Sequence, residues 1–330
     1  MPQALSRRRG LVALAVMLAV QRDAGAKPQG WLPSRPLRLV VPSVAGSTPD
    51  TFCRLLAEEM RGRLLHPVVI ENRPGGAGTI GLLEVARAAP DGHTIGYANV
   101  ITLAINDALL SSQPYVIERD FRPVSFTGSS QNLLVARPGL QVGDLPGLVA
   151  ALKRAPGRLT YGTPGSGTIG HLAGELFRLR TGTSMLHVPY RGSPQATQAL
   201  AAGEVDLVCD SVFAVLGSVR AGDGVPLATT GTRRSPLFPA VPTMEEAGLA
   251  GFDMTFWGGL VVPAATPAAI IESLNEIVNA ALASAALRAR YAALGLEASE
   301  PGPPPVLFER AATQRAGWAA LVRAAGVQMN

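Results

Sequence analysis

Residues Leu159–Phe177 read LTYGTPGSGTIGHLAGELF. A short apolar run ends in a loop of small residues, Gly165, Ser166, Gly167 and Thr168, and the loop enters an amphipathic segment with Ile169, Leu172, Leu176 and Phe177 at helical spacing. The spacing predicts strand, tight loop, helix. Backbone N–H groups then lie open at the helix start, where the helix dipole adds partial positive charge, so the site suits an anion. Ser166 and Thr168 supply hydroxyl donors, whereas a large side chain would keep a carboxylate or phosphate from the backbone.

The same residues spell Gly165-x-Gly167-x-x-Gly170, and Gly76-x-Gly78-x-x-Gly81 repeats the pattern. A dinucleotide site also needs an acidic residue about twenty positions on to hold the ribose. Neither Ser184–Gln195 nor Gly96–Ile105 contains one. No NAD site is assigned, and no other cofactor is expected.

Outward from that stretch the order repeats. Leu37–Val41 is a near-continuous β run, as for a strand buried on both faces. It ends in a small-residue loop, Pro42 to Asp50, where Thr48 is placed as cap and Pro49 in the first turn of a helix with Phe52, Leu55, Leu56 and Met60 inward. This second anion-ready terminus, on a separate unit, is positioned to share one ligand with the first. Further expected elements are strands at 68–71 and 94–98, helices to about Ala88 and over Leu103–Leu110, and an extended crossing from Phe121 to Arg137. Beyond it come helix 144–155, strand 185–188, helix 194–202, strand 205–209, a helix after Asp210 and strand 225–230. Phe252–Val262 is a return crossing, Thr266 caps a helix with Pro267 in its first turn, and a last helix reaches about Ala325.

Alternating β and α at this spacing predicts right-handed crossovers and mainly parallel sheets. Ligands in such sheets sit beyond the carboxyl ends of the strands, which points to Ser43–Asp50, Gly75–Thr79 and Asn99–Thr102. The expected architecture is α/β with two lobes: residues 35–128 with 255–330, and residues 129–254, joined by two crossing strands around a hinged cleft.

The 330-residue chain is 47% apolar, enough for two cores. Arg7, Arg8 and Arg9, the apolar run Leu11–Val20 and Ala24-Gly25-Ala26 read as a cleaved export signal over residues 1–26, by the general or the twin-arginine route. Its removal takes three positive charges from the formal +5, and the remaining arginines are scattered, so nucleic acid is not an expected partner. Cys53 and Cys209 are read as free buried thiols in different lobes, although an exported protein permits a disulfide. No Cys/His cluster indicates a metal.

Catalysis finds little support. Gly165-Ser166-Gly167 lacks the outer glycines of a nucleophile elbow, which would stand at Pro164 and Thr168. None of His66, His93, His171 and His187 has a carboxylate partner by spacing. His171 either reaches the cleft or packs as a capping histidine. Asp50 and Asp210 fix loops through backbone N–H groups, or Asp210 meets a ligand's ammonium or hydroxyl. Arg191 in Tyr190-Arg191-Gly192 is a cation near the cleft or a solvated one.

These residues match a pattern. It comprises the Pro42–Asp50 loop, Glu71-Asn72-Arg73-Pro74-Gly75-Gly76-Ala77-Gly78, Ala89-Pro90-Asp91-Gly92, Tyr161–Gly167 with His171-Leu172, and His187–Gly192. Gly203-Glu204-Val205-Asp206, Val241-Pro242-Thr243 with Glu246-Ala247-Gly248, Trp257–Leu260 and Thr266-Pro267 complete it. Over nearly the whole mature chain the sequence resembles the periplasmic solute-binding proteins of tripartite tricarboxylate transporters, the Bug receptors. The resemblance implies a Venus-flytrap fold that holds a small carboxylate between Ser43–Asp50 and Thr163–Thr168. The chain departs from the family at Ser43, where an aromatic residue is frequent, and at Ser47, where glycine is common.

The residues expected at the ligand are Ser43, Val44, Ala45, Gly46, Ser47, Asp50, Asn99, Thr163, Gly165, Ser166, Gly167, Thr168, His171, Gly192 and Asp210. The implied mechanism is capture by hinge closure and delivery to a membrane permease, by a monomer. The ligand class stays open among dicarboxylates, tricarboxylates, acidic amino acids and aromatic acids. A sensor working with a kinase would use the same cleft, and a secreted hydrolase is the remaining alternative.

Overall fold

The computed structural model describes residues 30–329; the expected signal over residues 1–26 lies outside the described residues. In chain order the strands are β1 (Leu37–Val41), β2 (Val68–Asn72), β3 (Thr94–Asn99), β4 (Phe121–Ser130), β5 (Asn132–Ala136), β6 (Thr160–Thr163), β7 (Leu186–Pro189), β8 (Leu207–Ser211), β9 (Val225–Thr229), β10 (Phe256–Pro263) and β11 (Leu296–Ala298). The helices are α1 (Thr48–Arg61), α2 (Thr79–Ala86), α3 (Asn106–Leu109), α4 (Ile117–Asp120), α5 (Leu145–Arg154), α6 (Ile169–Thr181), α7 (Ser193–Ala201), α8 (Val212–Ala221), α9 (Ala268–Leu282), α10 (Ala285–Ala293) and α11 (Val306–Ala325).

Two sheets organise these elements. One has the order β11-β4-β10-β3-β1-β2, the other β7-β6-β8-β5-β9. Within them β1 pairs parallel with β2 and β3, and β6 parallel with β7 and β8. The chain leaves the first sheet at the end of β4, passes Gln131, and enters the second as β5; it returns as β10.

The expectation of mainly parallel sheets needs a correction. β10 runs antiparallel to β3 and β4, β11 antiparallel to β4, and β5 antiparallel to β8 and β9. The physical reason lies in the crossings. A helix crossover brings the next strand back in the same direction, but a strand entering from the other sheet arrives from the opposite end. Sequence alternation marks the βαβ units, and the strands that join the sheets carry no such mark.

Local chemistry moves some boundaries. Thr48 is the first residue of α1 rather than its cap; Ser47 occupies the cap position, and the Thr48 hydroxyl is turned elsewhere. Likewise Pro267, not Thr266, precedes α9. The helix expected over Leu103–Leu110 opens as a wider π turn, Ile101–Ile105, before α3. Its start is set by Asn99, whose Oδ1 accepts the N–H groups of Ile101 and Thr102 at 2.9 and 3.3 Å. The segment holding α10 and β11 has no counterpart in the sequence reading, although Ser284 Oγ caps α10 by accepting the Leu287 N–H.

Phe52, Leu56 and Met60 of α1 are buried as expected, and Leu55 partly so. Both cysteines are free and buried, Cys53 in α1 and Cys209 in β8.

Candidate functional site

A cavity of about 530 Å³ lies between the carboxyl ends of the strands of the two sheets. One wall is the β1–α1 loop with Pro74–Gly78, Asn99 and Ile101; the other is the β6–α6 loop with Arg191–Ser193, Asp210 and Ser211. Asn132 and Phe256, at the starts of the two crossing strands, close the floor, and Met329 joins one side.

The β6–α6 wall is built from small residues for a steric reason. Gly167 has φ +74°, and a Cβ there would stand 2.4 Å from Leu109 Cδ2. At Gly170 a Cβ would meet the Cys209 carbonyl oxygen at 2.0 Å, so only glycine lets α6 begin flush against β8. Thr168 caps the helix, its Oγ1 accepting the His171 N–H. Among the described residues the N–H groups of Ser166, Ile169 and Gly170 have no intramolecular acceptor. They are the open donors of a helix start.

Two histidines brace this loop from behind. His171 Nδ1 accepts the Gly167 N–H at 3.0 Å, and its ring stacks on His187 with centroids 3.9 Å apart. His187 Nε2 bonds Thr163 Oγ1 at 2.7 Å, and Thr163 Oγ1 donates to the Gly165 carbonyl at 3.1 Å. Burial holds both imidazoles below their ordinary pKa; Glu175 offsets part of this for His171, whereas His171 adds to it for His187, which falls to about 3. Neutral imidazoles leave Nδ1 of His171 free to accept.

The opposite wall uses a carboxylate for the same purpose. Asp50 Oδ2 accepts the Gly46 N–H and Arg54 Nε–H, and Oδ1 accepts from Asn72 Nδ2, each at 2.9 Å. Burial works to raise the Asp50 pKa, but the Arg54 guanidinium, the Gly46 N–H and the Asn72 amide outweigh it and hold the carboxyl below the usual range. Ser47 Oγ donates to the Val44 carbonyl at 2.6 Å and lies 3.0 Å from Ser43 Oγ, so two hydroxyls occupy this part of the wall. The amide N–H groups of Thr48 and Asp50 are without an intramolecular acceptor among the described residues.

The walls touch at several points. Thr48 Oγ1 and Ser211 Oγ share a buried hydrogen bond of 2.5 Å. A Cβ at Gly192 would lie 2.6 Å from Val44 Cγ2. Gly167 packs on Leu109 and Met329.

Of the residues expected at the ligand, Ser43, Val44, Ser47, Asn99, Gly165, Ser166, Gly167, Thr168, Gly192 and Asp210 line the cavity. Ala45 and Gly46 are exposed and lie outside its lining, whereas Asp50, Thr163 and His171 are buried behind it and tie the two loops. Sequence reasoning passed over Asn132, Ser193, Ser211, Phe256 and Met329. Ser193 and Ser211 carried a signal, each a small hydroxyl residue between a β run and a helix; the others reach the cavity through the crossings and the return of the chain after α11.

Two sheets joined by crossing strands, with a cavity between paired loop-to-helix junctions, define the class of two-lobed periplasmic binding proteins. The family profile described as "Tripartite tricarboxylate transporter family receptor" matches residues 52–323, and the chain belongs to that family. Protein BugT of Bordetella pertussis is 35% identical over 88% of this chain and 90% of its own. Among solved structures, Rpa4515 of R. palustris with adipate is 32% identical with TM-score 0.86, covering 90% of this chain and 99% of its own. MatC from Rhodopseudomonas palustris with bound malate is also 32% identical, with TM-score 0.82, covering 88% and 100%.

Proposed function

We propose that the protein is a periplasmic solute-binding receptor that takes one small organic carboxylate into the cavity and delivers it to a tripartite tricarboxylate-type permease. The lobes, divided near residues 128 and 254, close on it by a hinge at the two crossings. The observation that carries this reading is the pair of helix starts, α1 and α6, with open N–H donors on opposite walls of one cavity. Such donors favour an anion without a buried cation, and adipate and malate in the two relatives belong to the same chemical class. Ser43, Ser47, Asn99, Ser166, Thr168 and Gly192 are the proposed contacts.

Closure follows from differential affinity. A carboxylate bridging both walls binds the closed arrangement more tightly than the open one and shifts the population toward it. No covalent step is proposed, because His171 and His187 are occupied in holding the loop. The test is a thermal-shift screen of the mature protein against organic acids, sugars and nucleotides. An acid at 100 times its Kd stabilises the fold by about 2.7 kcal/mol. A response to a sugar or nucleotide with none to any acid overturns the assignment.

A further inference from the structure

Among the residues lining the cavity, Asp210 is the one carboxylate and Arg191 the one cation. Asp210 sits near the end of β8 and is 4% exposed. Its Oδ1 accepts the Ser211 N–H at 2.7 Å. Its Oδ2 is buried and has no hydrogen-bond partner. The adjacent Ser211 hydroxyl is already engaged, with Thr48 Oγ1 at 2.5 Å and the Ala214 N–H at 3.2 Å. A buried acceptor left without a donor costs free energy comparable to a lost hydrogen bond. The Ser193 and Ser211 hydroxyls lie close enough to stabilise the charge in part, but a carboxylate offers about four acceptor sites, so a donor carried by the occupant of the cavity has a place to bind.

We propose that Asp210 selects, among carboxylates, those that also carry a hydrogen-bond donor, a hydroxyl or an ammonium, and so directs the receptor to hydroxy acids and amino acids over unsubstituted acids. This rests on the carboxylate reading above and goes beyond it by naming the second group on the ligand. Burial pushes the Asp210 carboxyl up to about 7, with the Ser211 N–H and neighbouring hydroxyls offsetting only part, so ionised and protonated forms coexist near neutral pH and a ligand donor draws the group toward the ionised form. A second ligand carboxylate at the same place meets either a like charge or the cost of holding a proton between the pair. Asp210 is therefore a specificity-determining residue; the helix starts hold the carboxylate, and Asp210 reads what stands beside it.

The experiment is calorimetric titration of the mature protein with matched acids: succinate, malate and aspartate; adipate and 2-aminoadipate; phenylacetate and mandelate. In the size class that binds, the donor-bearing member is expected to be tighter by about ten- to a hundredfold, the range for a hydrogen bond to a charged group. The hydroxyl and ammonium members of a set tell the two donors apart. In Asp210→Asn the preference for the ammonium member falls most, since its counter-charge is gone, with the melting curve confirming a folded variant; if that variant does not fold, the wild-type ratios decide. Equal affinity for donor-bearing and plain acids, or a preference unchanged in Asp210→Asn, overturns the proposal while the carboxylate reading stands. Failure of every acid to bind sinks that reading, and this proposal with it.

Discussion

Replacing His171 with phenylalanine keeps an aromatic ring against His187 but removes the acceptor for the Gly167 N–H, a buried hydrogen bond of 3.0 Å. A buried donor left unpaired costs about 1–3 kcal/mol. Gly167 lies one residue from Ser166 and two from Ile169, whose open N–H groups belong to the proposed anion site, so the cost falls on the geometry that the ligand reads. If the ligand feels all of it, Kd rises by about 5- to 150-fold. His171→Asn provides the control: its side-chain oxygen stands one bond beyond Cγ, as Nδ1 does, and restores the acceptor, so Kd stays within about threefold of wild type. Calorimetric titration at pH 7 with the best acid from the thermal-shift screen measures both. Equal Kd values for the two variants refute the reasoning, because they would mean that ring volume, not the bond to Gly167, holds the loop.

Thr48→Val removes the hydrogen bond between the walls while keeping the shape; a net loss of about 0.5–1.5 kcal/mol predicts a Kd about 2- to 12-fold weaker, and unchanged affinity would show that closure does not use this contact. Gly170→Ala drives a methyl into the Cys209 carbonyl, and overpacking of about 1–3 kcal/mol predicts a lower urea midpoint. His187 has a folded pKa of about 3 against an ordinary 6.5, so the unfolded chain binds the extra proton between those values. Its contribution is whole above about pH 6.5 and is lost as pH falls toward 3; His187→Gln should flatten that part of the melting-temperature profile. Asp210 has the opposite sign. Its carboxyl is raised from 3.8 to about 7, so its penalty grows as pH rises through that window, and Asp210→Asn should stabilise the ligand-free protein by an amount that increases up to about pH 7 and then levels off.

Much of the site was legible in advance because glycine, serine and threonine between an apolar run and a helical stripe have a single mechanical meaning. Both loop-to-helix junctions were readable from their own residues. What escaped depends on distant partners. Thr48 has the composition of a cap, but its hydroxyl finds Ser211 on the other sheet, a contact that no local rule contains. His171 read equally well as ligand contact or packed ring; its bond to Gly167 and its stack on His187 place it behind the wall, and His187 lies sixteen residues further on. The antiparallel pairings of β5 and β10 were hidden for the same reason, since strand direction there is decided by which sheet the chain has just left, and β11 keeps the direction of β10 after the helices between them.

The last described residue has a practical side. Met329 bridges to Leu110, donates its N–H to the Leu109 carbonyl at 2.9 Å and borders the cavity beside Gly167. A purification handle or biosensor tether attached at this residue would sit beside the ligand chamber and pull on that single bridge. Attaching it at an exposed position away from the chamber leaves the bridge undisturbed, and ligand screens on captured protein should be designed that way.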